Sequence, residues 1–238
     1  MTDIYSLTFE GAEFKRWLAL CPHVTIDFKN FDTLSGEYPE LPIGTVGSVA
    51  DLPWDLYILT GSHYGAYEDF QWIRDLEAWI RKADALKVPI LGICFGHQVL
   101  ATALGGLVTP SPKGWEVGAH TFQLNEAGQR IFKGKTSIHL HSSHQDIVAR
   151  LPESCISLGG NAHTEFHSFI KDDHIITMQM HPEFSKETQS ALLNRKSDFS
   201  ILTDAEYQTA IRSVDDPVDD VFVACGSLAF LKLHPELD

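Results

Sequence analysis

Residues 88–106, Val-Pro-Ile-Leu-Gly-Ile-Cys-Phe-Gly-His-Gln-Val-Leu-Ala-Thr-Ala-Leu-Gly-Gly, constrain the fold more than any other stretch. Val88 to Ile93 is a short apolar run and predicts a buried strand. Val99, Leu100, Ala103 and Leu104 then recur at helical spacing, and Gly105 and Gly106 stop the helix where a left-handed residue is wanted. A strand that passes directly into a helix belongs to an α/β architecture. Cys94 sits at the hinge, with Gly92 and Gly96 two residues to either side, the spacing of a nucleophile elbow. The helix N-terminus points free N–H groups and a positive dipole end at the sulfur, which favours thiolate over thiol. A buried core thiol is the plain alternative at a strand end, but the paired glycines favour the nucleophile.

The flanking chain repeats the strand and helix alternation. Residues 10–20 read as an amphipathic helix, and Val24 to Phe28 as a short alternating strand. The segment 32–53, rich in Gly, Pro and acids, reads as a loop that Val46 to Val49 extends briefly. Trp54 to Thr60 reads as a second buried strand, and Tyr67 to Lys87 as a long helix with Trp72, Ile73, Leu76, Trp79, Ile80 and Ala83 facing inwards. From Leu107 to Arg150 the runs are short and broken, as in Thr121–Leu124 and Ser137–Leu140. Together with 156–158, 167–170 and 175–180 they predict antiparallel strands laid on a parallel core. Helices follow from 186, over 203–213 and over 218–233. The expectation is a single α/β domain over 1–238.

Composition removes several functional classes. Eighteen Lys and Arg against 32 Asp and Glu give a net charge of −14, which opposes binding to phosphate backbones or anionic membranes. No run of 18 apolar residues occurs and no signal-peptide pattern opens the chain, so no membrane partner and a cytoplasmic location are expected. The four cysteines, Cys21, Cys94, Cys155 and Cys225, show no CxxC spacing and suit a reducing compartment.

A cysteine nucleophile needs a base and a group that orients the base. His181 and Glu183 stand two residues apart at the end of the apolar run 175–180, so in extended backbone their side chains leave on one side. Pro182 stiffens the link between them. The histidines His139, His141, His144, His163, His167 and His174 lack the Cys or carboxylate spacing of a zinc or di-metal centre, so neither a metal nor a cofactor is expected.

At this point the chain resembles the class I, or triad, glutamine amidotransferases, and more narrowly stand-alone members similar to γ-glutamyl peptidases. The resemblance spans about 54–195. It rests on Leu-Thr-Gly-Ser at 59–62, Gly-Ile-Cys-Phe-Gly-His-Gln at 92–98, Lys-Gly-Trp-Glu-Val-Gly at 113–118, His-Ser-Ser-His-Gln-Asp at 141–146 and Met-His-Pro-Glu-Phe at 180–184. It implies a flavodoxin-like three-layer α/β/α fold with a mostly parallel central sheet and added antiparallel strands. It also implies attack by Cys94 on a γ-glutamyl amide, with His181 as base and Glu183 as orienting carboxylate. By the same resemblance the N–H groups of Gly61 and Phe95 form an oxyanion hole, and Gln98, Lys113, Trp115, Glu116, His144 and Asp146 line the substrate pocket. Gln98 also reads as an exposed helical glutamine, and Lys113 with Glu116 as an ordinary charged loop.

The implied partner is a small γ-glutamyl substrate, in a hydrolase acting alone. The alternatives are a glutaminase subunit feeding ammonia to a separate synthase and a non-catalytic binding protein; a homodimer is open. Against the family pattern only about nine residues precede the first helix, with Asp3 to Phe9 a poor candidate for the first strand.

Overall fold

The computed structural model describes residues 8–42 and 52–234. Helix α1 (Thr8–Leu18) takes in Thr8 and Phe9, so the candidate first strand does not reach them. The rest of that candidate, and Val46 to Val49, lie outside the described residues.

Three strands form the parallel part of the main sheet. These are β1 (Tyr57–Leu59), β2 (Ile90–Ile93) and β9 (Ile175–Met178), with β2 in the middle. Every residue of β2 and β9 is buried, as expected of strands covered on both faces. The sheet continues antiparallel through β8 (Ser168–Lys171), β7 (Ile156–Gly160), β4 (Glu116–Leu124) and β5 (Ser137–His144). The added antiparallel strands are therefore present, each paired with a sequence neighbour except where β7 meets β4. A separate ribbon joins β3 (Leu107–Pro110) to β6 (Asp146–Arg150), and α4 (Glu126–Ile131) is a short helix.

Helices cover both faces. On one, α1 and α7 (Asp220–Phe230) bring Phe14, Trp17, Val223 and Leu228 onto Leu91, Ile93 and Met178. On the other, α2 (Gln71–Ala85) and α3 (Phe95–Ala103) bring Ile73, Ile80, Val99 and Leu100 onto Ile90 and Ile175. The period-2 alternation of β2 and β9 thus divides their side chains between two cores. α5 (Lys186–Asp198) and α6 (Asp204–Arg212) form a third, smaller cluster over Val117. Both begin at capped ends: Ser185 accepts from the Thr188 N–H, and Thr203 with Glu206 makes a reciprocal capping box.

Val24 to Phe28 departs from the strand expectation. Its burial alternates, with Val24, Ile26 and Phe28 half-buried, but it pairs with no strand among the described residues. The alternation comes from an extended segment pressed on the core. Tyr57–Leu59 is likewise shorter than the apolar run around it, because only three of its residues pair with β2.

Gly96 lies so close to β1 that an added Cβ would stand 2.0 Å from the Leu59 carbonyl oxygen, and a Cβ on Gly92 would stand 2.4 Å from Leu100. Neither position can carry a side chain without moving backbone or core. Gly96→Ala is therefore expected to cost roughly 3 kcal/mol or more of stability, the upper range for overpacking. Urea denaturation measures it, and a loss under about 1 kcal/mol would show that α3 and β1 can separate freely.

Candidate active site

Cys94 is held at φ 53°, ψ −106°, a strained conformation for a residue with a side chain. The strain is fixed from three sides. The Cys94 N–H donates to the Met178 carbonyl at 2.8 Å, the Gly96 N–H to Thr60 at 3.0 Å, and the Gln98 N–H to the Cys94 carbonyl at 3.1 Å. The Phe95 N–H belongs to the first turn of α3, which has no intrahelical acceptor.

His181 follows β9 and is anchored by its N–H, which donates to the His141 carbonyl of β5 at 2.8 Å. Its ring stacks on Phe184 at a centroid distance of 3.9 Å. His181 Nδ1 donates to Glu183 Oε1 at 2.7 Å, which leaves Nε2 for the sulfur. Burial by itself would lower the His181 pKa. The Glu183 carboxylate and the hydrogen-bonded Cys94 sulfur override it and raise the pKa well above the ordinary value. The proton is therefore held on His181. Arg16 of α1 donates to the Glu183 carbonyl at 2.6 Å and ties the first helix to this segment.

Gly61 faces the same centre. A Cβ built on it would lie 3.3 Å from His181 Cε1 and 3.8 Å from Cys94 Cβ. The sequence motifs at 59–62, 92–98 and 180–184 therefore converge on one point. A cavity of about 900 Å³ beside the outer edge of β1 reaches Gly61 and Phe95 but neither Cys94 nor His181, so it flanks the site.

The other expected pocket residues divide. Gln98 is buried, not exposed, and its Nε2 donates to the Asp146 carbonyl at 3.0 Å and to Gln179 Oε1 at 3.1 Å. It positions the β5–β6 turn from inside the protein. Glu116 and His144 are buried together, with His144 Nε2 2.9 Å from Glu116 Oε2. Asp146 is half-buried under the Tyr67 hydroxyl, and burial raises its pKa. Lys113 is exposed and donates to the Ala162 carbonyl.

Trp115 carries a residue that the motifs do not contain. Lys196 of α5 lays its Nζ 3.8 Å from the Trp115 ring centroid. Burial lowers the Lys196 pKa to about 8, while the Cys94 sulfur acts in the opposite direction, so the ammonium and the sulfur share one electrostatic field. No acidic side chain among the described residues pairs with it. Its only sequence signal is a basic residue in the last turn of a helix, which is common.

Comparison with known proteins agrees with this arrangement. The family model "Glutamine amidotransferase class-I" matches residues 61–198. A glutamine amidotransferase-like protein of Schizosaccharomyces pombe is 34% identical over 177 residues, covering 73% of this chain and 71% of that protein. Gamma-glutamyl peptidase 4 of Arabidopsis thaliana is 30% identical over 172 residues, covering 70% of this chain and 65% of its own length. A glutamine amidotransferase crystal structure from Thermotoga maritima superposes with a TM-score of 0.69 at 20% identity, covering 85% of each chain, and so shares the fold. The chain belongs to the class I glutamine amidotransferase family. Among the described residues no helix is long and apolar enough to cross a membrane.

The remaining thiols are poor competitors for Cys94. Burial, then Cys225, pushes Cys21 up to about 12, and burial pushes Cys155 up to about 11. A glutamine-analogue electrophile at neutral pH is therefore expected to modify Cys94 alone, read by intact mass and peptide mapping. Modification of Cys21, Cys155 or Cys225 in its place would contradict the assignment.

Proposed function

We propose that this protein hydrolyses γ-glutamyl amide bonds through a thioester on Cys94. The observation that carries this reading is the 2.7 Å His181–Glu183 hydrogen bond, with His181 bonded in turn to Cys94 at a strand-to-helix turn that Gly61 faces. The Cys94 thiolate attacks the γ-carbonyl carbon, and the carbonyl electron pair moves onto oxygen. The Gly61 and Phe95 N–H groups receive that oxyanion. Imidazolium His181 gives its Nε2 proton to the departing amine, so the C–N bond breaks and the γ-glutamyl thioester remains. Neutral His181 then takes a proton from water, which attacks the thioester and releases glutamate and the thiolate. Glu183 holds one tautomer and one ring orientation throughout. The γ-glutamyl peptidases among the relatives support hydrolysis by a protein working alone.

Lys196 and Trp115 supply recognition in this scheme. An ammonium that no acidic side chain among the described residues pairs, within the electrostatic field of the Cys94 sulfur, suits the α-carboxylate of the glutamyl group. Its lowered pKa of about 8 gives a sign to the pH dependence. Lys196 is charged below that value and loses its charge above it, so KM for a γ-glutamyl substrate with a free α-carboxylate rises above about pH 8. A substrate with an α-carboxamide lacks that rise.

Purified protein is expected to release glutamate from γ-glutamyl dipeptides or glutamine. Cys94→Ala abolishes release, and Glu183→Gln lowers kcat by on the order of 10⁴, as when other triads lose their carboxylate. Wild-type levels of release from Cys94→Ala would end this reading. Lys196→Met is expected to raise KM for the free acid about tenfold or more while sparing kcat. It also slows iodoacetate alkylation of Cys94 relative to iodoacetamide, which isolates anion recognition from turnover. An unchanged iodoacetate to iodoacetamide ratio would remove Lys196 from the pocket.

A further inference from the structure

Glu116 opens β4 and His144 closes β5, and the antiparallel register sets them directly opposite each other. His167, just before β8, comes in from a third segment. All three are buried, with exposures of 2%, 3% and 0% respectively. Glu116 Oε2 lies 2.9 Å from His144 Nε2, 3.3 Å from His167 Nε2 and 3.7 Å from His163 Nδ1. One ligand atom from each of Glu116, His144 and His167 falls within 4.8 Å of the others.

The proton positions make this arrangement incomplete. His144 Nδ1 stands 3.1 Å from the Asp146 carbonyl, which can only accept, so Nδ1 carries the proton. In the neutral ring Nε2 is then a lone pair facing a carboxylate oxygen, acceptor against acceptor. His167 is fully buried with neither ring nitrogen hydrogen-bonded. Asn161 and Thr164 already donate to the two Glu116 oxygens at 2.7 and 3.2 Å, so the carboxylate is oriented and partly neutralised. Whatever protons the two Nε2 atoms carry, His167 Nδ1 stays buried without a partner.

We propose that Glu116, His144 and His167 bind a divalent transition-metal ion of the zinc class. A single ion takes His144 Nε2, His167 Nε2 and Glu116 Oε2 at once. The N···O separations of 2.9 and 3.3 Å lie close to the edge of a tetrahedron, about 3.3 Å for bonds of about 2.0–2.1 Å. Imidazole with carboxylate is a donor set that suits zinc and its neighbours. The Asp146 carbonyl on His144 Nδ1 is the outer hydrogen bond that metal-bound histidines usually make. His163 Nδ1, 3.7 Å from Glu116 Oε2 and 3.1 Å from the Thr164 hydroxyl, stands outside the three-ligand set, which leaves the fourth position to water. The chemistry is that of a tether. It joins the start of β4, the end of β5 and the approach to β8 behind the Lys113–Gly118 loop, and it takes no part in the hydrolytic steps. The sequence alone offers the histidines without a carboxylate; the fold brings Glu116 to them.

The test uses the full chain without a histidine tag, as Cys94→Ser so that the active thiolate cannot hold metal. After dialysis against a chelator it is titrated with Co(II) and then Zn(II). The expected result is one ion per chain, with the visible absorption of four-coordinate cobalt and a higher melting temperature with zinc. His167→Gln and Glu116→Gln each weaken cobalt binding by more than about a hundredfold, while His139→Gln leaves it unchanged. Failure of the Cys94→Ser protein to take up one equivalent at micromolar metal would overturn the proposal. An undiminished cobalt band in His167→Gln would overturn it equally, and neither outcome bears on hydrolysis at Cys94.

Discussion

The structure depends on the close approach between the first turn of α3 and the end of β1. With the Gly96 Cα held so near the Leu59 carbonyl that no side chain fits between them, the helix is pressed onto the sheet at the point where the chain reverses. That contact fixes the Cys94 backbone in a conformation it would not hold alone, and it brings the segment after β1 against the sulfur. Gly61 then lies over both Cys94 and His181, so one steric constraint brings together the three residues on which the proposed mechanism rests. The strain at φ 53° is small beside the burial of β2, which is covered on both faces and cannot relax by moving.

The base reaches the same place by a different route. β9 delivers His181 in parallel with β2, but His181 is held by β5, the last strand of the sheet order, through its bond to the His141 carbonyl. The sheet therefore curls far enough for its antiparallel end to touch the end of its parallel part. Arg16 adds a brace from α1 on the Glu183 carbonyl. The antiparallel strands, which add nothing to the nucleophile turn, serve to fix the angle from which the imidazole meets the sulfur.

This division explains what could be read from the sequence. The turn at Cys94 and the His181–Glu183 pair are local in sequence, and their chemistry follows from residues two positions apart. The inner face of α2 was legible for the same reason, since helical periodicity is local. The β3–β6 ribbon was not: Leu107 to Pro110 is only four residues long, with Val108 buried and Leu107 exposed. Val24 to Phe28 imitated a strand because an extended segment lying on a core alternates in burial with or without a ladder partner. Gln98, Glu116 and His144 were expected to line a pocket and are buried; the pairing of Glu116 with His144 comes from a register between β4 and β5 that no short motif encodes. Lys196 lay beyond reach altogether, on a helix whose relation to Trp115 exists only in three dimensions.

The charge balance of the site gives that lysine its weight. The chain as a whole carries −14. The γ-glutamyl substrate proposed above also brings a carboxylate, so a site without a cation would repel it. Charges beyond about 8–10 Å are largely screened at physiological ionic strength, which leaves the choice to a nearby cation that no acidic side chain among the described residues pairs. Lys196 is that cation at the Trp115 wall, and its burial strengthens its interaction with whatever anion enters. The same burial costs it part of its proton affinity, so recognition and pH sensitivity arise from one cause. The proposed recognition role thus rests on a partly desolvated ammonium stacked on Trp115.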